Sequence, residues 1–469
     1  MISILVLVFP KTNPFLVNAK AAPAVITSKI LDVHGHEYSV DCVLYDYDNN
    51  LYLSLRDVAS AMRDTDCCFD ILLSSDKVII KKGEKYTPYD EEKYPWSEEY
   101  CKELKSSRKT NNMEIDGREV KYYSIILKGE DGVYDCFMSI IDLSMILDAK
   151  IDMEDNDRIV FDELSDGGYN GLEMEEFGIF EGVNAVLIGD ATDGDVFYGY
   201  NADESFPIAS TTKLMTYLLT MEAISEGKIS LDSIGMVSKK GQLLAESADG
   251  VLPLAEGMEL PVRELIYGAM VASSNECALT LAETVSGSEE DFVVQMNEKA
   301  AELKLEDTIF YNCHGLPVYT KEPYPGKISN HMTARDMFKM CSYILSVYPQ
   351  ITDVTSLKSV TLNSLEKEIK TTNSLLYNIP EVTGLKTGTT NKAGCCLITS
   401  LRVDNHDLLV VLFGAETGFD RTQISELLCR YAIKVEKGII SEKEENRLLP
   451  DDSLSAEDMI KKLINSCRQ

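Results

Sequence analysis

The chain has few basic residues for its size. Its 469 residues include 45 Lys and Arg against 77 Asp and Glu, which gives a formal net charge of −32 at pH 7. Binding to a phosphate backbone needs a basic surface, so this balance argues against nucleic acid as a partner. It also disfavours electrostatic attachment to anionic lipid. The hydrophobic content of 45% is that of a soluble globular protein, and the length suffices for two or three domains.

A hydrophobic run long enough to span a bilayer is also lacking. The apolar stretch at residues 2–9 is too short and ends at Pro10. It resembles the hydrophobic region of a signal peptide, with Ala19-Lys20-Ala21 as a cleavage site, although no Lys or Arg precedes it. A start codon assigned too far downstream would explain that departure, and a buried first strand is the alternative. We expect residues 1–25 to be a signal peptide, the protein to be exported, and no transmembrane anchor to be present.

Metal-ligand spacings are lacking as well. The twelve cysteines are scattered and none belongs to a C-x-x-C pair. This pattern favours buried free thiols over a disulfide framework or a zinc site. His34 and His36 could share a strand face, yet no other ligand cluster accompanies them, so we expect a solvent-facing pair. The sequence therefore implies no metal and no organic cofactor.

Residues 26–165 have the pattern of a separate small α+β module. Period-two alternation and turn residues predict its strands, at residues 25–33, 37–45, 51–55, 69–73, 77–81, 120–127 and 159–161. Short helices are predicted at 56–62 and 140–147, and the charged stretch 83–112 is interpreted as an excursion over the surface. Residues 52–59 (Tyr-Leu-Ser-Leu-Arg-Asp-Val-Ala) resemble the stalk-like modules that are similar to the copper amine oxidase N-terminal domain. This resemblance implies no copper here.

A larger domain is predicted at residues 183–437, after an acidic, glycine-containing linker at 166–182. It opens with a hairpin around Asp193-Gly194 and continues with a mostly helical block from 262 to 348. Strands and a last amphipathic helix follow, at residues 394–403, 408–413 and 420–435. Strands that enclose a helical insert imply an α+β fold, in which an antiparallel sheet flanked by helices lies beside an all-α lobe. Residues 438–469 predict a charged tail.

A serine and a lysine stand at the start of the first long helix predicted in this domain. The residues are Ser210 and Lys213, and apolar spacing predicts a helix from 208 to 224, with Pro207 at its approach. Positions i and i+3 share a helix face, so the hydroxyl and the amine would point into the same space. Such a pair can supply a nucleophile and its base. The spacing alone is weak, because Ser-x-x-Lys also occurs from Ser74, Ser106, Ser225 and Ser364.

Two further motifs distinguish Ser210 from the other four matches. Ser273-Ser274-Asn275 follows an apolar stretch, and Lys386-Thr387-Gly388 precedes a predicted strand pair. In this order the three motifs resemble those of penicillin-binding proteins and class A β-lactamases. Residues 292–300, 312–316, 333–337 and 392–394 are similar to the low-molecular-mass D-alanyl-D-alanine carboxypeptidases in particular, and this resemblance runs from about 183 to 433.

The resemblance implies a role for each site residue. Ser210 would be the nucleophile and neutral Lys213 its base. Burial and a second cation nearby would both lower the pKa of Lys213, and Lys386 could be that second cation. The backbone N–H groups of Ser210 and Thr389 would form the oxyanion hole. The remaining assignments are a proton relay to the leaving amine at Ser273, orientation of the substrate amide by Asn275, a carboxylate site at Lys386 and Thr387, and room for substrate at Gly388.

The implied activity is removal of the terminal D-Ala from peptidoglycan stem peptides, with β-lactam antibiotics as inhibitors. A β-lactamase, a DD-endopeptidase and a catalytically weak wall-binding protein are the alternatives. The Glu-x-x-Leu-Asn segment of a class A β-lactamase is not found, and the nearest carboxylates, Glu276 and Glu298, are expected on helix surfaces. Thr383 and Thr389 stand where the family commonly has Asp and a histidine or aromatic residue, which leaves rate and peptide preference open.

Overall fold

The computed structural model of the chain describes residues 22–23, 25–44, 51–87, 105–106, 109–129, 133–153, 158–163, 180, 182–320 and 326–439. The apolar run and cleavage site of the predicted signal peptide, most of the predicted linker, most of the stretch 83–112 and nearly all of the predicted tail lie outside these residues. The chain divides into two compact units at the boundary between Asp162 and Glu163, except that residues 119–121 and 148–150 belong to the second unit.

The part of the chain from residue 22 to 163 is built on two main sheets, a separate pair of two-residue strands (22–23 with 105–106) and two short helices. Its strands are β1 (Ala22–Pro23), β2 (Val25–Val33), β3 (His36–Leu44), β4 (Leu51–Ser54), β5 (Phe69–Leu73), β6 (Lys77–Lys82), β7 (Lys105–Ser106), β8 (Lys109–Thr110), β9 (Asn112–Ile115), β10 (Arg118–Val120), β11 (Tyr123–Lys128), β12 (Tyr134–Ser139), β13 (Ala149–Met153) and β14 (Arg158–Glu163). Its helices are α1 (Leu55–Ala61) and α2 (Ile140–Leu147). The larger sheet has the order β13-β14-β2-β3-β4-β12-β11-β8, and the smaller one has the order β10-β9-β6-β5.

The predicted elements of this unit are largely confirmed. The β2–β3 and β5–β6 hairpins have the antiparallel pairing that the alternation indicates, and α2 has the predicted bounds. Helix α1 begins after Ser54, whose hydroxyl accepts a hydrogen bond from the Asp57 N–H at 3.2 Å and so caps the helix. The segment predicted as one strand at 120–127 is two strands, β10 and β11. The copper amine oxidase resemblance of this unit stays a prediction.

The second unit contains a five-stranded antiparallel sheet of order β16-β15-β27-β26-β25. The strands are β15 (Ala185–Asp190), β16 (Val196–Tyr200), β25 (Val382–Thr390), β26 (Gly394–Val403) and β27 (His406–Ala415). Leu409, Val411 and Phe413 lie in the main core, and the alternate residues of β27, Leu408 and Val410, are also fully buried. The sheet is therefore covered on both faces, which explains the continuous apolar run in β27.

Helices cover this sheet and form the lobe beside it. They are α3 (Lys213–Ser225), α4 (Lys239–Ala245), α5 (Val262–Met270), α6 (Asn275–Ser286), α7 (Glu289–Glu302), α8 (Ala334–Val347), α9 (Ile351–Thr355), α10 (Leu375–Asn378) and α11 (Gly418–Glu436). Helix α8 packs on β15 and β27, α11 packs on β26 and β27, and α6 packs against α3, α4, α5 and α7. The predicted α+β architecture is thus confirmed: an antiparallel sheet flanked by helices, with a helical lobe inserted between its strands.

Short strand pairs complete the second unit. They are β17 (Ser205–Pro207) with β22 (His331–Thr333), β18 (Ile234–Met236) with β19 (Glu259–Pro261), β20 (Val318–Thr320) with β21 (Gly326–Ile328), and β23 (Ser359–Leu362) with β24 (Lys367–Lys370). In the described part of the chain, no helix is long and apolar enough to cross a bilayer. The ten described cysteines are free thiols and nine of them are buried, as the scattered pattern predicts.

A histidine joins three elements at one end of the sheet. His406, at the start of β27, lies with Nδ1 2.5 Å from Asp190 Oδ2 and with Nε2 3.6 Å from Glu436 Oε1, near the end of α11. The Asp190 hydrogen bond is the main cause that raises the pKa of His406 above its ordinary value. Because the folded-state pKa is the higher one, the contribution to stability is complete below about pH 6.5 and is lost as the pH rises through the folded-state value.

We predict that His406→Gln destabilises the protein more at about pH 6 than at about pH 9. At the lower pH the wild-type imidazole is charged and pairs with its carboxylate partners, whereas at the higher pH it is neutral and the substitution removes no charge. Urea unfolding of both proteins, followed by circular dichroism, measures the difference. An equal loss at the two pH values would contradict the ionic contribution of His406.

Candidate active site

Ser210 lies in a tight turn ahead of the helix. Pro207 belongs to β17 and pairs with His331, and a 3₁₀ turn, Ala209–Thr212, leads into α3. Ala209 has a φ of +48°, which turns the chain out of the strand and prevents a continuous helix from residue 208. The prediction that one helix contains Ser210 is therefore wrong in this detail, although an i to i+3 pair in a 3₁₀ turn remains on one side.

Lys213 is the first residue of α3 and is fully buried. Its Nζ lies 2.9 Å from Ser210 Oγ, 2.7 Å from Asn275 Oδ1 and 2.9 Å from the backbone oxygen of His314. The amide and carbonyl oxygens can only accept hydrogen bonds, whereas a hydroxyl can donate one. A neutral amine would therefore donate to Asn275 and His314 and present its lone pair to the hydroxyl of Ser210.

Burial is the main cause that lowers the pKa of Lys213, to about 7. The three oxygens that it contacts belong to a hydroxyl, a side-chain amide and a backbone carbonyl, so its desolvation is not offset by a direct counter-charge. The charge of the nearby Glu276 raises the pKa only in part. The amine can therefore exist in its neutral form near pH 7.

Lys386, on β25, is the second buried amine of the site, with only 1% of its surface exposed. Its Nζ donates to Ser273 Oγ and to the Thr387 backbone oxygen, each at 2.8 Å. Burial, and then the charge of Lys213, hold the pKa of Lys386 well below its usual range. The sequence predicts that burial and Lys386 together lower the pKa of Lys213; of these two, burial is the cause found here, and the charge of one amine lowers the pKa at Lys386 only.

Ser273 and Asn275 meet the two lysines from the start of α6. Ser273 has a φ of +62°, and Ser274 caps the helix by accepting from the Cys277 N–H at 3.0 Å. This geometry directs Ser273 towards Lys386 and Asn275 towards Lys213. The Asn275 side chain also donates from Nδ2 to the backbone oxygen of Asp249 at 3.0 Å, which fixes which end of the amide faces the lysine.

Strand β25 forms the edge of the sheet beside Ser210. A Cβ at Gly388 would lie 3.0 Å from both the Ile208 oxygen and the Ser210 nitrogen, so any other residue would require this backbone to move apart. Thr387 Oγ1 lies 2.5 Å from Thr372 Oγ1. Thr389 Oγ1 accepts a hydrogen bond from Arg421 Nη1 at 3.1 Å. All three motifs predicted from the sequence therefore meet in one place.

Sequence reasoning missed the buried polar groups that hold the Ser210 turn in place. Asn330 is buried; its Nδ2 donates to Thr212 Oγ1 at 2.9 Å and to the Asn312 oxygen at 3.0 Å, and its Oδ1 accepts from the Tyr311 N–H at 2.7 Å. The loop that begins at Asn312 in turn presents the His314 oxygen to Lys213. The motif 312–316 was visible in the sequence, but a role carried by a backbone oxygen leaves no side-chain signal.

Glu276 corrects a second expectation. It is fully buried instead of exposed on a helix surface, and its Oε1 accepts from the backbone N–H groups of Val251 and Leu252. Helix α6 is packed by four other helices, so even its polar positions are enclosed. Glu298 is exposed, as expected.

One described group of side chains has ligand atoms close enough for a metal ion: Asp190, His406 and Glu436. The hydrogen bonds and ion pairs of these three side chains within the described residues involve no residue of the candidate site. The Ser210 site itself offers two amines and several hydroxyls, which is a poor ligand set for a cation.

Part of the chain is similar to proteins that are already known. Residues 180–417, just over half of the chain, match the family described as D-alanyl-D-alanine carboxypeptidase. The chain is 36% identical over 252 residues to D-alanyl-D-alanine carboxypeptidase DacF of Bacillus subtilis and 32% identical over 254 residues to DacC of Escherichia coli. It is also similar to the crystal structure of a peptidoglycan synthesis regulatory factor (PBP3) from Streptococcus pneumoniae, with 30% identity and a TM-score of 0.50.

These similarities cover part of each protein. The two curated matches span 53% of this chain and 61% of each relative, so the chain covers less than two thirds of their length. The structural match spans 54% of this chain and 73% of the other.

We predict that Asn330→Ala lowers the free energy of unfolding by at least about 2 kcal/mol, because it leaves several buried backbone and hydroxyl groups without partners. Urea unfolding measures the loss. A change of less than about 0.5 kcal/mol, the range of ordinary surface substitutions, would show that Asn330 does not hold the turn.

Proposed function

The chain belongs to the D-alanyl-D-alanine carboxypeptidase family, and on that basis we propose that it is a serine-type carboxypeptidase that removes the terminal D-Ala from peptidoglycan stem peptides. The observation that carries the proposal is the Ser210 hydroxyl 2.9 Å from a buried amine whose other two neighbours only accept hydrogen bonds. That arrangement leaves proton transfer from Ser210 as the remaining use of the lone pair of Lys213.

The first step is acylation. Neutral Lys213 takes the proton of Ser210 as Oγ forms a bond to the carbonyl carbon between the two D-alanines. The C–N bond then breaks, D-Ala leaves with a proton on its amine, and the rest of the peptide stays esterified to Ser210. Water attacks the ester in the second step: its oxygen forms a bond to the carbonyl carbon, one of its protons passes to Ser210 Oγ as the ester C–O bond breaks, and the shortened peptide is released.

Charge that develops on the carbonyl oxygen needs donors that are already in place. We assign this role to the backbone N–H groups of Ser210 and Thr389. The close approach of Gly388 to the Ser210 nitrogen supports the assignment, because it brings the strand edge beside the turn.

The residues around Lys386 are assigned to the leaving group of the substrate. We assign to Ser273, which accepts a hydrogen bond from Lys386, the transfer of a proton to the departing amine. Lys386 and Thr387 supply an amine and a hydroxyl for the terminal carboxylate of the substrate, whose negative charge favours the protonated form of the Lys386 amine. Asn275 holds Lys213 and also offers a polar side chain to the substrate amide.

Partners and location follow from this chemistry. Peptidoglycan lies outside the cytoplasm, so the proposal includes export, and β-lactam antibiotics would acylate Ser210 as inhibitors. A β-lactamase would turn such an adduct over rapidly, a DD-endopeptidase would cleave cross-linked peptides, and a wall-binding protein without activity would form no adduct. The following test separates these alternatives.

We predict that fluorescent penicillin labels the wild-type protein and leaves Ser210→Ala unlabelled, since the adduct needs Oγ. Release of D-Ala from a pentapeptide should be lost in the same variant. Thr211→Ser, which keeps a hydroxyl next to the nucleophile, serves as the control and should label normally.

Labelling of neither protein, or equal labelling of both, would contradict the acyl-enzyme on Ser210. Labelling with rapid turnover of penicillin and no D-Ala release would identify a β-lactamase instead. Cleavage of cross-linked peptides with no D-Ala release would identify an endopeptidase.

We also predict that the acylation rate falls as the pH drops below about 7, the pKa of Lys213, because only the neutral amine accepts the proton. Well below that value the rate should fall about tenfold per pH unit. The second-order rate of penicillin labelling measures the profile, and Lys213→Ala should fold but fail to label at any pH. A flat profile, or wild-type labelling of that variant, would contradict the role of Lys213.

A further inference from the structure

Glu276 is a buried charged side chain next to the candidate site that the reaction scheme above leaves unused. It directly follows Asn275 in α6 and has no exposed surface. Its Oε1 accepts from the Val251 N–H at 3.0 Å and from the Leu252 N–H. Its Oε2 has no hydrogen-bond partner in the described part of the chain. A buried carboxylate costs free energy, so its presence beside Lys213 calls for a physical reason.

The segment that Glu276 holds also fixes Asn275. The Asn275 Nδ2 donates to the Asp249 oxygen at 3.0 Å, two residues before the Val251 N–H that Glu276 binds. Two consecutive residues of one helix thus hold a single short loop, at residues 249–252. Displacement of this loop would remove the acceptor that orients the Asn275 amide.

The orientation of that amide decides what Lys213 meets. With Nδ2 on the Asp249 oxygen, Oδ1 faces Lys213 Nζ at 2.7 Å and accepts from it. A reversed amide would present N–H groups to the amine, and these would compete with Ser210 for its lone pair. The position of the loop therefore affects Lys213 and Ser210 through the side chain of Asn275.

We propose that Glu276 is a positioning residue for acylation: it holds loop 249–252 so that the Asn275 oxygen faces Lys213, and its charge acts on the same amine. This inference rests on the proposed function, in which Lys213 is the base.

The direction in which the charge of Glu276 changes the pKa of Lys213 can be stated. Three groups in the described part of the chain oppose the lowering of the Lys213 pKa by burial when they are ionised: Cys313, Glu276 and Cys277. Burial raises the pKa of both thiols, so they are neutral near pH 7 and the Glu276 carboxylate supplies the opposing charge. Removal of the charge should therefore lower the pKa of Lys213 further. The acid side of the pH–rate profile should then move to lower pH, which a purely structural role would not cause.

Two substitutions separate position from charge. Glu276→Gln keeps an acceptor for the loop N–H groups but loses the charge. It should label with penicillin at nearly the wild-type maximal rate, with the acid limb shifted to lower pH. Glu276→Ala loses both, and its second-order labelling rate should fall by about 100-fold, the scale expected when a reacting group is misplaced.

Glu264 provides a matched control. It is also a buried glutamate that accepts hydrogen bonds from loop backbone, namely the N–H groups of Asn363 and Ser364, and these hydrogen bonds involve no residue of the candidate site. Glu264→Gln and Glu264→Ala should lower the urea midpoint of unfolding comparably while the labelling rate and its acid limb stay unchanged.

The outcomes are distinguishable. Wild-type labelling kinetics in Glu276→Ala, or an unshifted acid limb in Glu276→Gln, would overturn the inference while the proposed function stands. If Glu276→Ala fails to fold, the acid limb of Glu276→Gln alone decides. Absence of labelling in the wild-type protein would overturn the proposed function itself.

Discussion

The burial of the Lys213 amine without a carboxylate partner is the constraint on which the arrangement of the candidate site depends. An amine enclosed in this way is stable only if it sheds its proton or finds several oxygens, and here it has three within 2.9 Å. Each oxygen comes from a different segment: the 3₁₀ turn, the start of α6 and the loop at 312–316. The fold brings these segments together, and the low pKa of the lysine results from that enclosure.

Each segment around the amine is held in turn by a buried polar side chain. Asn330 binds the Ser210 turn and the 311–312 backbone, and Glu276 binds the loop that orients Asn275. Gly388 lets the edge strand approach the turn closely. The site is therefore built from backbone positions as much as from reactive side chains, which explains why glycine, asparagine and a buried glutamate surround it.

Periodic and turn signals predicted most of the fold. Helix α2 and strand β26 have the predicted bounds, because both have strong apolar patterns with clear limits. The three motifs also predicted which side chains lie together at the candidate site. Three features could not be read from the chain: the turn at Ala209, which tertiary packing imposes; the His314 oxygen, which carries no side-chain signal; and the burial of Glu276, since a charge predicts exposure unless the enclosure of α6 by its neighbours is known.

The central claim is that Lys213 is a neutral base near physiological pH. Direct titration of the lysine side chains by NMR in the full-length protein labelled with ¹³C-lysine tests it, with the Lys213 signal assigned by its loss in Lys213→Ala. The account predicts that this signal titrates with a pKa of about 7. A Lys213 signal that stays protonated up to about pH 10, the ordinary range of lysine, would contradict the account.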